Sequence, residues 1–190
     1  MFLSEGTKHL SLALVLLNRS VTSPSEFQIR EAMRMANQQQ VDLLKQGTEV
    51  WNTWRNEHPS VTPDLHEEEL TGLHLNEADL KNANLSGTNL SGTILNKAHL
   101  EYANLVGTDL SKVDLSEANL QGADLSAALL TEANLTAADL SNVVLLDANL
   151  SGATLTQAKL SNANLTGALL RQADLSDALI TPEQLAQTKK

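Results

Sequence analysis

The side chains that could do chemistry in this chain are few and scattered. The candidate bases and metal ligands are five histidines, His9, His58, His66, His74 and His99, and there is no cysteine. Zinc needs three or four ligands close together, and catalysis needs unlike groups converged by a scaffold. His66 is followed by Glu67, Glu68 and Glu69, a cluster that could attract a cation, but a run of acids reads first as a solvated turn. No nucleophile stands beside a base, and no glycine-rich loop has the spacing that cradles phosphate. The reading is therefore no catalytic residue, no metal and no cofactor.

The elements that would position any site are set by composition and period. Aromatic residues make up only 3% of the 190 residues, so the core must be filled by small and medium aliphatics and must be narrow. The absence of cysteine fits a reducing compartment, and we expect a cytoplasmic protein. The longest apolar run, Leu10 to Leu17 with Ser11 inside it, is far short of the roughly 20 residues that span a bilayer. Asn18, Arg19 and Ser20 follow it with no small-residue cleavage site, which argues against a secretory signal.

The net charge is −10. Residues 1–59 are neutral, Asp64, Glu67, Glu68 and Glu69 follow without a base, and residues 71–180 hold twelve acids against five bases. Nucleic-acid binders gather Lys and Arg on one face to displace counterions. This chain does the reverse, so direct binding of DNA or RNA is not expected.

Reading every fifth residue from Leu75 gives 22 consecutive positions, all leucine except the last, Ile180. Two residues before each stands a second register, Ala at sixteen positions, with Leu73, Thr88, Thr93, Thr108, Val113 and Val143 as exceptions. Asp or Asn usually lies between them; Ser or Thr commonly follows the leucine, and then comes a free position, often glycine. A five-residue period fits no single helix, because it rotates the apolar stripe by 140° per unit beyond a full turn. The Ala-x-Leu spacing does fit a short extended segment, whose residues two apart point the same way, and the polar pair fits a corner. One unit cannot bury its own leucine, so the corners must wrap the chain about an axis and stack coil on coil.

Strings such as EADLKNANLSGTNLSG, EANLQGADLS and ADLSNVVLLDANLSGATL resemble the pentapeptide-repeat family, whose pattern is A(D/N)LXX, without a gap from 71 to 180. The resemblance is to bacterial members, of the cyanobacterial type with a helical N-terminal cap. It implies a β-solenoid: a right-handed quadrilateral β-helix of about 22 pentapeptides, four to a coil, with Leu and Ala inward. Spacing alone leaves three sides open. On four sides His74 and His99, five units apart, fall on different faces. At the ~4.8 Å spacing of stacked strands the rod is about 26 Å long.

We divide the chain into a helical N-terminal region (1–60), an acidic linker leading into the first coil (61–70), the β-helix (71–180) and a C-terminal capping helix with tail (181–190). Bare coil ends invite edge-to-edge association unless covered. Ser23-Pro24-Ser25-Glu26 reads as a capping box. It opens a helical pattern to about Arg55 carrying Phe27, Ile29, Met33, Ala36, Val41, Leu44, Trp51 and Trp54, with Gly47 as a candidate break. An earlier helix is expected over roughly Leu3 to Asn18. The stretch LLKQGTEVWNTWRNEHPSVTPDL is similar to a segment that often precedes the repeats in bacterial members of the family. Thr181-Pro182-Glu183-Gln184 opens a short helix over Leu185 and Ala186, and a helix start directly after the last repeat reads as a C-terminal cap.

The outward Asn and Asp residues are read as corner-stabilising groups that bond local backbone. The exceptions are outward positions that are apolar. On four sides Val106, Val144 and Leu146 share one face and Leu129 and Leu169 the adjacent one, a candidate patch for contacting a partner. The expected function is a non-catalytic protein-interaction or scaffold module with an unidentified protein partner. The alternative is a topoisomerase inhibitor of the DNA-mimicking type that the family includes, which binds gyrase. Its weak support is net acidity; against it stand Lys81, Lys97, Lys112, Lys159 and Arg171 among the acids, and leucine where such inhibitors often carry central Phe. The N-terminal helices are a candidate surface for homo-oligomers.

Overall fold

The computed structural model describes residues 37–189. The expected helix over Leu3 to Asn18 and the capping box at Ser23 lie outside the described residues.

Parallel bridges join residue i to residue i + 20, beginning with Asp64↔Asn84 and Glu69↔Asn89 and running to Lys159↔Leu179. Twenty residues per coil with a five-residue unit means four sides, the count that leucine spacing left undecided. Each side contributes one bridged residue, so the extended segments are short and the corners dominate.

Each unit repeats the same bonds. The leucine N–H donates to the carbonyl nineteen residues on, as from Leu115 to Asn134 (2.7 Å), and the N–H two residues later does the same, as from Glu117 to Thr136 (2.9 Å). The Asn or Asp N–H points the other way, as from Asn134 to Val113 (2.9 Å). The corner is closed by the next Ala donating back to the leucine carbonyl, as from Ala118 to Leu115 (3.1 Å). These bonds consume the backbone groups that burial would otherwise orphan.

The corner needs a left-handed residue at the third place of its four-residue turn, as type II geometry requires. From Glu67 to Asp177 every second residue after a ladder leucine has positive φ: sixteen non-glycine residues, such as Ala127 (56°) and Ala137 (58°), and seven glycines. The position taken as free from the sequence is thus the most constrained of the outward three. None of these corner residues is Val, Ile or Thr, the types that left-handed backbone tolerates least.

The ladder leucines, every fifth residue from Leu65 to Leu165, are at most 1% exposed, and so are most of the inward alanines. Each such leucine contributes on the order of 1.5–3 kcal/mol of apolar burial. Thr88, Thr93 and Thr108 are buried in the alanine register because each hydroxyl donates to a leucine carbonyl: Leu65 (2.6 Å), Leu70 (3.0 Å) and Leu85 (2.8 Å). A buried hydroxyl with that partner carries no desolvation penalty to speak of.

Residues 61–70 are not a linker. Leu65 and Leu70 are in the buried ladder, Pro63 is buried in the small-residue register, and Asp64 and Glu69 bridge to the next coil. The solenoid starts there because the leucine register continues upward; the acids lie on its outward and corner positions, apart from half-buried Glu68.

Above this coil sit two helical segments, α1 (37–45) and α2 (Thr48–Glu57), separated by Gly47 at φ 108°. Val41, Leu44, Trp51 and Trp54 join the leucine core. Polar side chains bond first-coil backbone groups that have no coil above them. Asn52 Oδ1 accepts the Asp79 N–H (2.8 Å), Trp51 Nε1 donates to the Asp79 carbonyl (2.8 Å), and Gln40 Oε1 accepts the Asp64 N–H (2.8 Å). Buried Arg55 donates to the carbonyls of Val61 (2.7 Å) and Lys81 (3.3 Å).

At the far end α3 (Pro182–Leu185) opens on a capping box between Thr181 and Gln184. Leu185 is 39% exposed and Ala186 is exposed, whereas Gln184 is buried. Its Nε2 donates to the carbonyls of Leu160 (2.6 Å) and Ala163 (3.0 Å). The cap works by satisfying backbone carbonyls rather than by adding apolar cover. The chain then lies along the last coil, with Gly167 N–H donating to Gln187 (2.9 Å) and Lys189 N–H to Ala168 (2.9 Å).

Candidate functional site: the outward faces

The Asn and Asp ladder is structural. Their Oδ1 atoms accept the N–H two residues on, as Asp109 from Ser111 (2.9 Å), Asp124 from Ser126 (2.9 Å) and Asn149 from Ser151 (3.1 Å). Some also bond along the ladder, as Asn134 to Asp114 (2.9 Å) and Asn104 to Asn84 (3.2 Å). Side chains committed to their own corners have little left to offer a ligand.

The ionisable groups behave likewise. Lys81–Glu101 (3.4 Å), Lys97–Glu117 (3.8 Å), Lys112–Glu132 (4.0 Å) and Lys159–Asp139 (3.7 Å) each pair across one coil step of twenty residues. His66 Nδ1 lies 2.6 Å from Asp64 Oδ1. That hydrogen bond raises the His66 pKa against the lowering effect of partial burial, helped by the charges of Asp64, Glu67 and Glu68. His74 bridges to Ile94 and His99 to Asp79 and Asn119, so the two histidines stand on different sides. Among the described residues no group of three or more His, Cys, Asp or Glu is arranged to hold a metal, and no helix is long and apolar enough to cross a membrane.

The apolar exceptions divide in two. Val106, Leu129 and Leu146 are 38%, 45% and 40% exposed, and they lie on three successive coils around one corner. Gly107, beside Val106, donates to Ser126 (2.9 Å), and exposed Ala127, two residues before Leu129, donates to the Leu146 carbonyl (2.8 Å). Val144, between Asp124 and Asn164 on its ladder, and Leu169, which bridges to Lys189, are half-buried. Asp109 adjoins Leu129 by a bridge, and Asp147 follows Leu146.

Between residues 71 and 180 two exposed large hydrophobic residues escaped the sequence reading. Leu179, at 59%, occupies the same outward register as Leu129 and Leu169, so its signal was present. Tyr102, at 65%, sits at a left-handed corner with φ 59°. Its ring lies over Gly122, where a Cβ would come within 2.6 Å of it.

A closed ladder of five-residue units, four to a coil, defines a class. A family model for pentapeptide repeats matches residues 74–111, 108–145 and 148–181, with eight copies, and the chain belongs to that family, whose members form right-handed β-helical solenoids. Among solved structures it is similar to Rfr23 from the cyanobacterium Cyanothece 51142, at 25% identity over 68% of this chain and 97% of that one, with a TM-score of 0.53. It is also similar to HetL from Nostoc sp. strain PCC 7120, a protein involved in heterocyst differentiation regulation, at 28% identity over 61% and 84%, TM-score 0.35. QnrB1, a plasmid-mediated fluoroquinolone resistance protein, is matched at 19% identity over 68% and 89%, TM-score 0.24. A search of curated proteins returned no match.

Proposed function

We propose that the solenoid is a non-catalytic protein-interaction module in the cytoplasm, and that its partner docks on the corner formed by Val106, Leu129 and Leu146, with Val144 and Leu169 at the margins. The carrying observation is the exposure of three large aliphatic side chains on successive coils, where the ladder elsewhere is mostly Asn, Asp, Ser and Thr. Apolar side chains that no internal packing requires, grouped on a rigid surface, are what a partner's anchor residue uses. DNA mimicry is the weaker reading: the likeness to QnrB1 is too slight to weigh, and four of the lysines on the solenoid are spent in ion pairs between coils.

The test is quantitative capture from the native host with the wild-type chain and with the L129D/L146D variant. A protein retained by the first and lost by the second, at an unchanged thermal transition, supports the reading. Equal retention removes the corner from consideration. Light scattering on the same samples reports whether the chain pairs with itself through its N-terminal region.

A further inference from the structure

The two ends of the core differ. Under the N-terminal cap Leu65, Leu70 and Leu75 are at most 1% exposed. At the other end Leu170, Ala173, Leu175, Ala178 and Ile180 are only partly buried, and Leu179 reaches 59% exposure.

Inside the solenoid the corresponding backbone is fully paired: Leu150 and Gly152 donate to Leu169 and Arg171 (both 2.8 Å), and the Ala153 carbonyl accepts from Asp174 (2.9 Å). One coil further, the N–H groups of Gln172, Leu175 and Asp177 and the carbonyl of Ala173 have no backbone partner among the described residues, whereas the Leu170 N–H faces Lys189 in the Leu169↔Lys189 bridge. These four groups lie in sequence along two adjacent sides of the rim. The side before them is filled by residues 187–189 in the manner of a further coil, through the Gly167–Gln187 and Lys189–Ala168 bonds and the Leu169↔Lys189 bridge. The rim therefore already accepts an extended strand on one side.

We propose that the remaining two sides, from Gln172 to Asp177, are a strand-addition site for an extended segment of another protein. The fitting segment has a small residue followed two positions later by a large aliphatic one, both turned inward, the first over Ala173 and the second over Leu175. Its carbonyls accept from Gln172 and Leu175, and one of its N–H groups donates to Ala173. Main-chain bonds supply the pairing and alternate side chains the selectivity, as in other strand-addition sites. A second copy placed rim to rim is not the occupant. It would meet the 182–189 segment first, which stands about one coil rise, ~4.8 Å, proud of these sides.

The probe is a synthetic peptide copying residues 151–158 (SGATLTQA), which line the same two sides one coil above. Amide exchange by NMR on the full chain is followed with and without millimolar peptide. The expected result is at least tenfold slower exchange at Gln172, Leu175 and Asp177. A peptide N-methylated at the position copying Thr154 should bind at least tenfold more weakly, because it has lost the donor to Ala173. The proposal is overturned if those three amides in the free chain already exchange as slowly as Leu150 and Gly152, which would mean the chain covers its own rim. It is overturned equally if the N-methylated peptide binds as well as the parent, or if light scattering shows dimers whose formation alone protects the rim.

Discussion

The left-handed corners make a prediction of unusual sign: replacing alanine by glycine should stabilise this protein at Ala127 and Ala137. An L-residue in left-handed backbone carries about 1–2 kcal/mol of steric cost that glycine does not. Glycine returns about 0.5–1 kcal/mol of that through the greater freedom of its unfolded chain. Both residues are outward, and their N–H groups, bonded to Leu146 and Thr156 at 2.8 Å, remain in glycine. The net gain is about 0.5–1 kcal/mol each, or about 1–2 kcal/mol for the A127G/A137G pair, given that strain relief exceeds the entropy loss. In a chain of this size about 1 kcal/mol moves the transition by roughly 2–4 °C, so the pair should raise it by about 2–8 °C. The assay is thermal unfolding followed by circular dichroism, with Ala138→Gly as the internal control. Ala138 is inward, fully buried and without positive φ. Its glycine variant loses a buried methyl worth about 0.8 kcal/mol and gains only unfolded-state freedom, so it should melt lower. If the double variant falls alongside the control, the corners are not held in the conformation described here.

Three further outcomes follow from the same geometry. Leu120→Ala removes a fully buried ladder leucine and should cost about 2–5 kcal/mol, read as a lowered urea midpoint. Gln184→Ala strips two carbonyls of their donor and should cost about 1–3 kcal/mol, with faster amide exchange confined to the last coil, whereas Leu185→Ala should change little. His66 should titrate above its ordinary value of 6.5 in an NMR pH series and return toward it in Asp64→Asn. Because the folded value is the higher one, the small stabilisation from this half-exposed pair is present below the unfolded value and is lost as pH rises through the folded one.

The leucine ladder was legible in the sequence because burial tolerates no substitute for a large aliphatic at that place, so its period is nearly perfect. The number of sides was not, since a five-residue repeat is indifferent to how many units close a coil; only the i to i + 20 bridges decide it. The first half-coil was missed because Pro63 and Glu68 stand where alanine does elsewhere, so the acids drew more attention than Leu65 and Leu70. The corner rule was missed because it is written in exclusions, the lack of β-branched residues, and a varied column looks unconstrained. Of the candidate patch, the sequence gives each residue's column and level, and so which ones neighbour. It does not give exposure, which separates Val106, Leu129 and Leu146 from the half-covered Val144 and Leu169.

The twenty-residue coil carries a rule for how such a rod can change length. Inserting or deleting one pentapeptide turns everything beyond it by a quarter revolution, so a side chain that looked east now looks north. Adding or removing four at once leaves every column in its compass direction and merely shifts the distal part along the axis. Growth by whole coils conserves a docking surface, and growth by single units destroys it while leaving the core intact.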